Sequence, residues 1–468
     1  MPNILEDLQC YVDSLIDSYQ VPAASIAVWH NNKIQKAAAG ILNIATGVEA
    51  TTDSLFKIGS VTKVFTTSLI MQLVDQGKIK LDKPVKYYLR DFHIADAEAT
   101  QAVTVRQLLN HTSGIAGDFF PSDIHSEGNA IARYVDRINL IPLVHTPGAQ
   151  FSYSNAALAV AGRLVEVLTG LPWHQVIKER IFTPLGMKHA IADPKEALRY
   201  RVAMGHFRDP DNLNQWRVSS KCYSTLGLAP SGSILSMSAA DLIIFARAHL
   251  NQGKASSGER WLSPESIQLM QTATVELPAN SEQIDRYWCL GWGRWTDTRS
   301  GRSIIYHSGL VNSQTAMLQL VPDMNLALAV LLNSAKPGVI DTVVSDILKH
   351  LTKIDIKEPS PTPIQLSAEE LKRYVGQFDN LGARYDLSLV EDIGKDGLNG
   401  LSVSCFDKWD KTSTESLWLP IGDQLFATFN GEGIRGRNAV FVTGTDDRSV
   451  DQLFMGLRVS NRQGTNTQ

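Results

Sequence analysis

The 468-residue sequence predicts an α/β sandwich, an antiparallel sheet flanked by helices with an all-helical region set into it, followed by a small all-β, barrel-like domain. Three observations carry this fold class. A helix-then-hairpin pattern opens the chain, and apolar strand-like runs return only after residue 300, so one sheet is assembled from both ends of a long segment. Prolines alternate through Lys357 to Pro363, where they can join neither helix nor central strand. Beyond them, short alternating runs recur at even spacing with Gly, Asn and Asp between.

The elements follow in order. Ile4 to Tyr19 has helical spacing of apolar residues (Ile4, Leu8, Tyr11, Leu15), and Ala23 to His30 and Lys33 to Ile41 form a hairpin broken at Asn31-Asn32. A long apolar helix runs from about Ser60 to Gln76, and a loop-rich middle ends in helices near Asn155 to Thr169 and Ala239 to Asn251. Strand-like segments return at Ser303 to Tyr306, Thr315 to Val321 and Asn325 to Leu332, ahead of a last helix, Val339 to Leu351. The six runs of the second domain are Tyr385 to Glu391, Gly400 to Phe406, Ser416 to Ile421, Gln424 to Phe429, Ala439 to Thr443 and Gln452 to Val459. The expected organisation is a domain over 1–356, a linker over 357–365, a barrel over 366–462 and a frayed tail over 463–468.

Composition narrows the function classes. With 44% hydrophobic and 20% charged residues the chain is globular throughout. A net charge of −4 and the lack of any Lys/Arg-rich run argue against nucleic acid as a partner. Cys10, Cys222, Cys289 and Cys405 lie far apart, with no Cys-x-x-Cys or Cys/His cluster, so buried reduced thiols are expected and neither a metal site nor a cofactor is implied. No stretch is long and apolar enough to span a membrane, and Met1 to Gln20 lacks the cationic start and unbroken apolar core of a secretory signal, so a cytoplasmic protein is expected.

Ser-x-x-Lys occurs twice, at Ser54 to Lys57 and Ser60 to Lys63, about as often as residue frequencies give by chance. Position separates the copies. Ser54 lies on an apolar run, whereas Ser60 follows Gly59 and begins the long helix, where residues three apart share a face. A serine hydroxyl needs a base, and lysine becomes one when burial or nearby cations lower its pKa; Val61, Val64 and Phe65 could supply that burial. Alone, the motif equally describes a helix cap and a solvated lysine. Tyr153, in Phe151-Ser152-Tyr153-Ser154-Asn155, sits where a loop enters a helix, so its phenol could relay a proton and Asn155 could hold Lys63 or a substrate amide. A packing role for Tyr153 is the competing account. His307-Ser308-Gly309 follows the strand-like Ser303 to Tyr306, and Gly309 permits close approach of a ligand.

In combination and in this order, Ser60 to Lys63, Tyr153 to Asn155 and His307 to Gly309 resemble the three motifs of the penicillin-binding protein and serine β-lactamase superfamily. The Tyr-x-Asn form resembles class C β-lactamases and related carboxypeptidases, esterases and D-aminopeptidases. The phrases Phe56 to Ser60, Leu108 to Gly114 and Pro184 to Met187 extend the likeness over about Val21 to Leu351. The resemblance implies a fold of the β-lactamase/DD-peptidase type and an acyl-enzyme on Ser60, with protons passing through Lys63 and Tyr153. It implies an oxyanion site of two backbone N–H groups, which map to Ser60 and Leu310, and substrate binding along Ser308 and Gly309. His307 stands where β-lactamases commonly carry lysine, so carboxylate recognition or help to Tyr153 would be weaker at neutral pH. His111 and His145 fall in family phrases and are taken as turn residues. A Ser-His-Asp site would need a Gly-x-Ser-x-Gly elbow, which the sequence lacks.

The substrate is then a small-molecule or peptidyl acyl compound, an ester, thioester or D-amino-acid-containing peptide, possibly bound to a carrier protein. A penicillin-binding-protein-type thioesterase that releases or cyclises a nonribosomal peptide resembles the chain in plan, with a lipocalin-like domain behind the catalytic one. A β-lactamase or DD-peptidase, and a binding protein without turnover, are the other readings. Arg458 could grip a substrate carboxylate bidentately or be a rim arginine, and Phe119, Phe120, Tyr287, Trp288, Trp292 and Trp295 could line an acyl pocket or fill the core. Oligomeric state is left open.

Overall fold

The computed structural model describes residues 4, 6–121, 128–221, 225–278, 284–336, 338–354, 361–394, 397–430, 436, 438–443 and 450–464. Cys222, the linker up to residue 360 and the tail beyond 464 lie outside them.

Ala23–His30 and Lys33–Asn43 pair through a turn at Asn31-Asn32, both residues left-handed (φ 50° and 59°), as a two-residue hairpin requires. Ala23–His30 then pairs antiparallel with Leu326–Leu332, placing Ala24 opposite Leu332 and Trp29 opposite Ala327. Here the two ends of the segment meet. The sheet has nine strands, ordered Val48–Glu49, Lys33–Asn43, Ala23–His30, Leu326–Leu332, Gln314–Val321, Ser303–Val311, Gly293–Asp297, Ile284–Trp288 and Val275–Glu276. Leu8–Tyr19 and Val339–Thr352 cover one face. The other packs on Ala239–Leu250, Thr62–Asp75 and the helical region. Covering both faces explains why Leu326–Leu332 is apolar at every position.

The helical region contains two small sheets that periodicity does not reveal, a hairpin of His206–Asp209 with Asn212–Val218 and three two-residue strands at Phe56–Lys57, Ala190–Ile191 and Ser236–Met237. Ser303–Val311 continues through His307, Ser308 and Gly309, so that motif lies within a strand and not after one. Its register against Gln314–Val321 pairs Gly309 with Ala316.

The C-terminal unit is a closed eight-stranded barrel, Gly376–Asp379 to Arg458–Arg462, sealed where Phe378 pairs with Arg462. Tyr374, Phe378, Trp418, Phe426 and Phe441 fill its interior, the other four rings packed edge-on or tilted around Phe441. The run Gln452 to Val459, expected as one strand, is two: Val450–Met455 and Arg458–Arg462, reversing at Gly456 and Leu457 (φ 58° and 69°). A leucine in the left-handed region is costly, which is why an apolar run hides the turn. Among the described cysteines, Cys10, Cys289 and Cys405 are unpaired; Cys289 is buried as expected, but Cys10 is exposed. No single helix among the described residues is long and apolar enough to cross a membrane.

Candidate active site

Gly59 turns the chain with φ 51°, and Gly59–Val61 forms a tight turn that runs into Thr62–Asp75. Ser60 therefore stands at a helix start, partly exposed, with Lys63 one turn on and fully buried. Lys63 Nζ lies 2.9 Å from Ser60 Oγ, 2.7 Å from Asn155 Oδ1 and 2.6 Å from the Ser231 carbonyl. Burial, and secondarily the Arg458 charge, hold the Lys63 pKa well below the usual lysine range against an opposing effect of Asp118. A neutral amine has two N–H groups and one lone pair. In that form the two carbonyl oxygens would take the N–H groups and leave the lone pair for the Ser60 hydroxyl.

Tyr153 sits 4.8 Å, ring centroid to Lys63 Nζ, on the same pocket wall, and its hydroxyl hydrogen-bonds Ser60. Burial raises its pKa above the ordinary phenol value, so Tyr153 is a proton donor at neutral pH. Ser154 caps Asn155–Thr169 by accepting from the Ala157 N–H, which sets Asn155 at the first helical position, aimed at Lys63. His111, at φ 60°, accepts the Ser154 N–H at Nδ1 (3.1 Å) and stacks on Tyr153 with centroids 4.3 Å apart. It is a turn residue, as expected, and also the floor beneath the phenol.

His307 is buried, donates Nδ1–H to the Ser308 carbonyl (2.7 Å), and packs near Trp288 and Tyr153. Burial, then Lys63, push its pKa down to about 3, so it offers a neutral imidazole and no charge for a carboxylate. Ser308 is exposed on the same strand, and Leu310 is 63% exposed. Between them Gly309 lies against the nucleophile turn: a Cβ there would fall 1.9 Å from the Ile58 carbonyl oxygen and 3.0 Å from Ser60 N. A Cβ on Gly59 would fall 2.7 Å from Leu310 N. Two glycines thus let the N–H groups of Ser60 and Leu310 converge. Ser54, by contrast, is fully buried and accepts the Thr51 N–H, while Lys57 Nζ donates to Asn312.

Arg458 reaches this site from the barrel. Its Nε and Nη2 clasp both oxygens of Asp118, the latter at 2.8 Å, and Nη1 donates to the Gly456 carbonyl. Asp118 also accepts from Asn155 Nδ2 at 3.2 Å. The Tyr153 N–H donates to the Leu457 carbonyl (2.9 Å), and Val459 N–H to Ser152 Oγ (3.3 Å). Of the aromatic residues singled out from sequence, Trp288 and Trp292 are buried; Phe120 is 39% exposed, edge-to-face on Trp409 of the barrel at 5.2 Å. A cavity of about 970 Å³ between Arg163, Glu166, Trp173 and Lys195 lies elsewhere on the helical region and includes none of these groups. Sequence reasoning missed Asp118, Ser231 and Leu457. Ser231 and Leu457 act through backbone carbonyls, which carry no residue signature, and only proximity to the Leu108 to Gly114 phrase marks Asp118.

Together the fold and this constellation define a serine hydrolase of the β-lactamase and penicillin-binding-protein class. The chain belongs to the β-lactamase family, whose model matches residues 8–348. Penicillin-binding protein 4 of Amycolatopsis lactamdurans is 37% identical over 344 residues, covering 72% of this chain and 87% of that protein. Unguisins hydrolase ungD of Aspergillus violaceofuscus is 25% identical over 350 residues, 70% of this chain and 61% of that protein. Among solved structures SurE superposes with a TM-score of 0.76 at 25% identity, covering 98% of each chain, barrel included.

Proposed function

We propose that the protein is an acyl-enzyme hydrolase or acyltransferase in which Ser60 is the nucleophile, Lys63 its general base and Tyr153 the proton donor to the leaving group. The observation that carries this is the environment of Lys63, whose buried Nζ lies 2.7 Å and 2.6 Å from the Asn155 and Ser231 carbonyl oxygens and 2.9 Å from the Ser60 hydroxyl. Attack by Ser60 Oγ on the acyl carbon passes the serine proton to Nζ. The carbonyl oxygen becomes an oxyanion between the N–H groups of Ser60 and Leu310. Collapse expels the leaving group, which takes a proton from Tyr153; Lys63 restores the phenol, and water or an amine repeats the sequence on the acyl-enzyme.

A peptidyl acyl group is the favoured substrate. Phe120 and Trp409, exposed and in edge-to-face contact across the two units, offer an apolar surface for such a group. Arg458 has three of its five donors engaged, leaving one N–H on each terminal nitrogen for a substrate carboxylate. A relative named unguisins hydrolase agrees with a hydrolytic reading. The neutral His307 disfavours a β-lactamase.

Mass spectrometry after fluorophosphonate treatment tests the nucleophile: an adduct on Ser60 is expected in the wild type and in Ser54→Ala, and none in Ser60→Ala. Equal labelling of Ser60→Ala refutes it. A peptidyl thioester bearing a free amine then separates hydrolysis, which yields linear acid, from cyclisation.

A further inference from the structure

We propose that Asp118 and Arg458, one from each fold unit, form a positioning pair that orients Asn155 and so keeps the Lys63 lone pair directed at Ser60. The inference rests on the roles given to Ser60 and Lys63 above. Arg458 acts here through other residues, whatever its two remaining N–H groups bind.

A carboxamide can sit two ways, related by a half-turn that exchanges oxygen and nitrogen. Asp118 as a carboxylate only accepts, so it draws Asn155 Nδ2 to itself at 3.2 Å, and Oδ1 must then face Lys63, at 2.7 Å. Reversed, Asn155 would offer Lys63 an N–H donor, and the lysine lone pair would turn to it and away from Ser60. One hydrogen bond on the far side of Asn155 thus decides which way the base points.

Such a carboxylate also has an electrostatic effect. The groups around Lys63 are Ser60, Tyr153, Asn155, the Ser231 carbonyl, His111, His307, Asp118 and Arg458. Tyr153 is a neutral phenol, and burial keeps His111 and His307 uncharged. Charge near the lysine therefore comes from Asp118 and Arg458, which act on it in opposite directions. Asp118 alone would favour the ammonium form, which is no base. Arg458, delivered by the Gly456-Leu457 turn, cancels that bias while leaving the carboxylate able to orient Asn155. Leu457 holds a left-handed conformation at that turn, a local strain of the kind found where backbone is fixed for function.

The test is the pH dependence of acylation, read as the rate of adduct formation on Ser60 in the full-length chain. Labelling of wild-type Ser60 is established first; its absence would overturn the nucleophile assignment itself. Arg458→Ala is expected to move the acid limb upward by about one pH unit, because Lys63 then stays protonated to higher pH, with about a tenfold slower rate at neutral pH. Arg458→Lys, which keeps the charge, should leave the limb near its wild-type position. Asp118→Asn combined with Arg458→Ala removes both charges and should bring the limb back. An unmoved limb in Arg458→Ala, or a double variant whose limb stays with that of Arg458→Ala, overturns the proposal. Should Arg458→Ala melt below assay temperature, Arg458→Gln provides the same contrast.

Discussion

At the scale of single residues, one physical cause acts in opposite senses on two neighbours. Burial disfavours the charged form of both, lowering the Lys63 pKa and raising that of Tyr153, which is the sense the proposed base and acid require. Lys63→Ala is expected to slow acylation by about a hundredfold to ten-thousandfold, measured with a chromogenic ester under single-turnover conditions; an unchanged rate would remove Lys63 from the mechanism. Buried imidazoles carry a separate consequence for stability. His249 and His307 have folded-state pKa values pushed down to about 3, whereas an unfolded imidazole protonates below about 6.5. Between those limits the unfolded chain binds more protons, so stability is lost as the pH is lowered, by about 1.4 kcal/mol per unit for each histidine. Urea midpoints at pH 6.5 and pH 5 should show this loss, and equal midpoints would contradict it.

At the scale of elements, the site depends on how closely a strand approaches a turn. Ser303–Val311 passes the nucleophile turn with only a hydrogen atom's room at Gly309, so Gly309→Ala must push strand and turn apart. Losing one converging N–H from an oxyanion site typically costs about a hundredfold to a thousandfold, and a comparable fall in acylation rate is expected for this variant. Retention of the wild-type rate would place the oxyanion elsewhere. The elements themselves were largely legible. Asn155–Thr169 and Ala239–Leu250 announce themselves by apolar spacing with Ser154 and Ser238 as caps, and Asn31-Asn32 marks its hairpin. What escaped was shorter than a period, the two-residue strands at Phe56–Lys57 and Ser236–Met237, or contradicted local preference, the left-handed Leu457.

At the scale of the whole molecule, the barrel and the catalytic sheet share a core. Phe454 and Val459 of the barrel pack with Phe151, Tyr153 and Trp288, so the wall behind the phenol comes from both units. Phe454→Ala should lower stability by about 3 to 5 kcal/mol in urea unfolding and also slow acylation, although residue 454 lies outside the matched family region. Loss of stability with an unaltered rate would show the barrel to be only a neighbour. The three family motifs were legible because they keep fixed local order, and Ser60 was separable from Ser54 by its place at a helix start. The pairing of Asp118 with Arg458 was not, because it joins residues 340 apart and depends on how two units pack.

That separation along the chain has a meaning in time. A ribosome adds about 5 to 20 residues per second, so Asp118 leaves the peptidyl-transferase centre some 17 to 68 s before Arg458. Throughout that interval a nascent chain carries Ser60 and Lys63 without the arginine that balances Asp118 or the carbonyl of Leu457 that ties down Tyr153. A chain cut short of that last hairpin lacks both the arginine and the carbonyl, and is expected to acylate Ser60 more slowly than one that carries them.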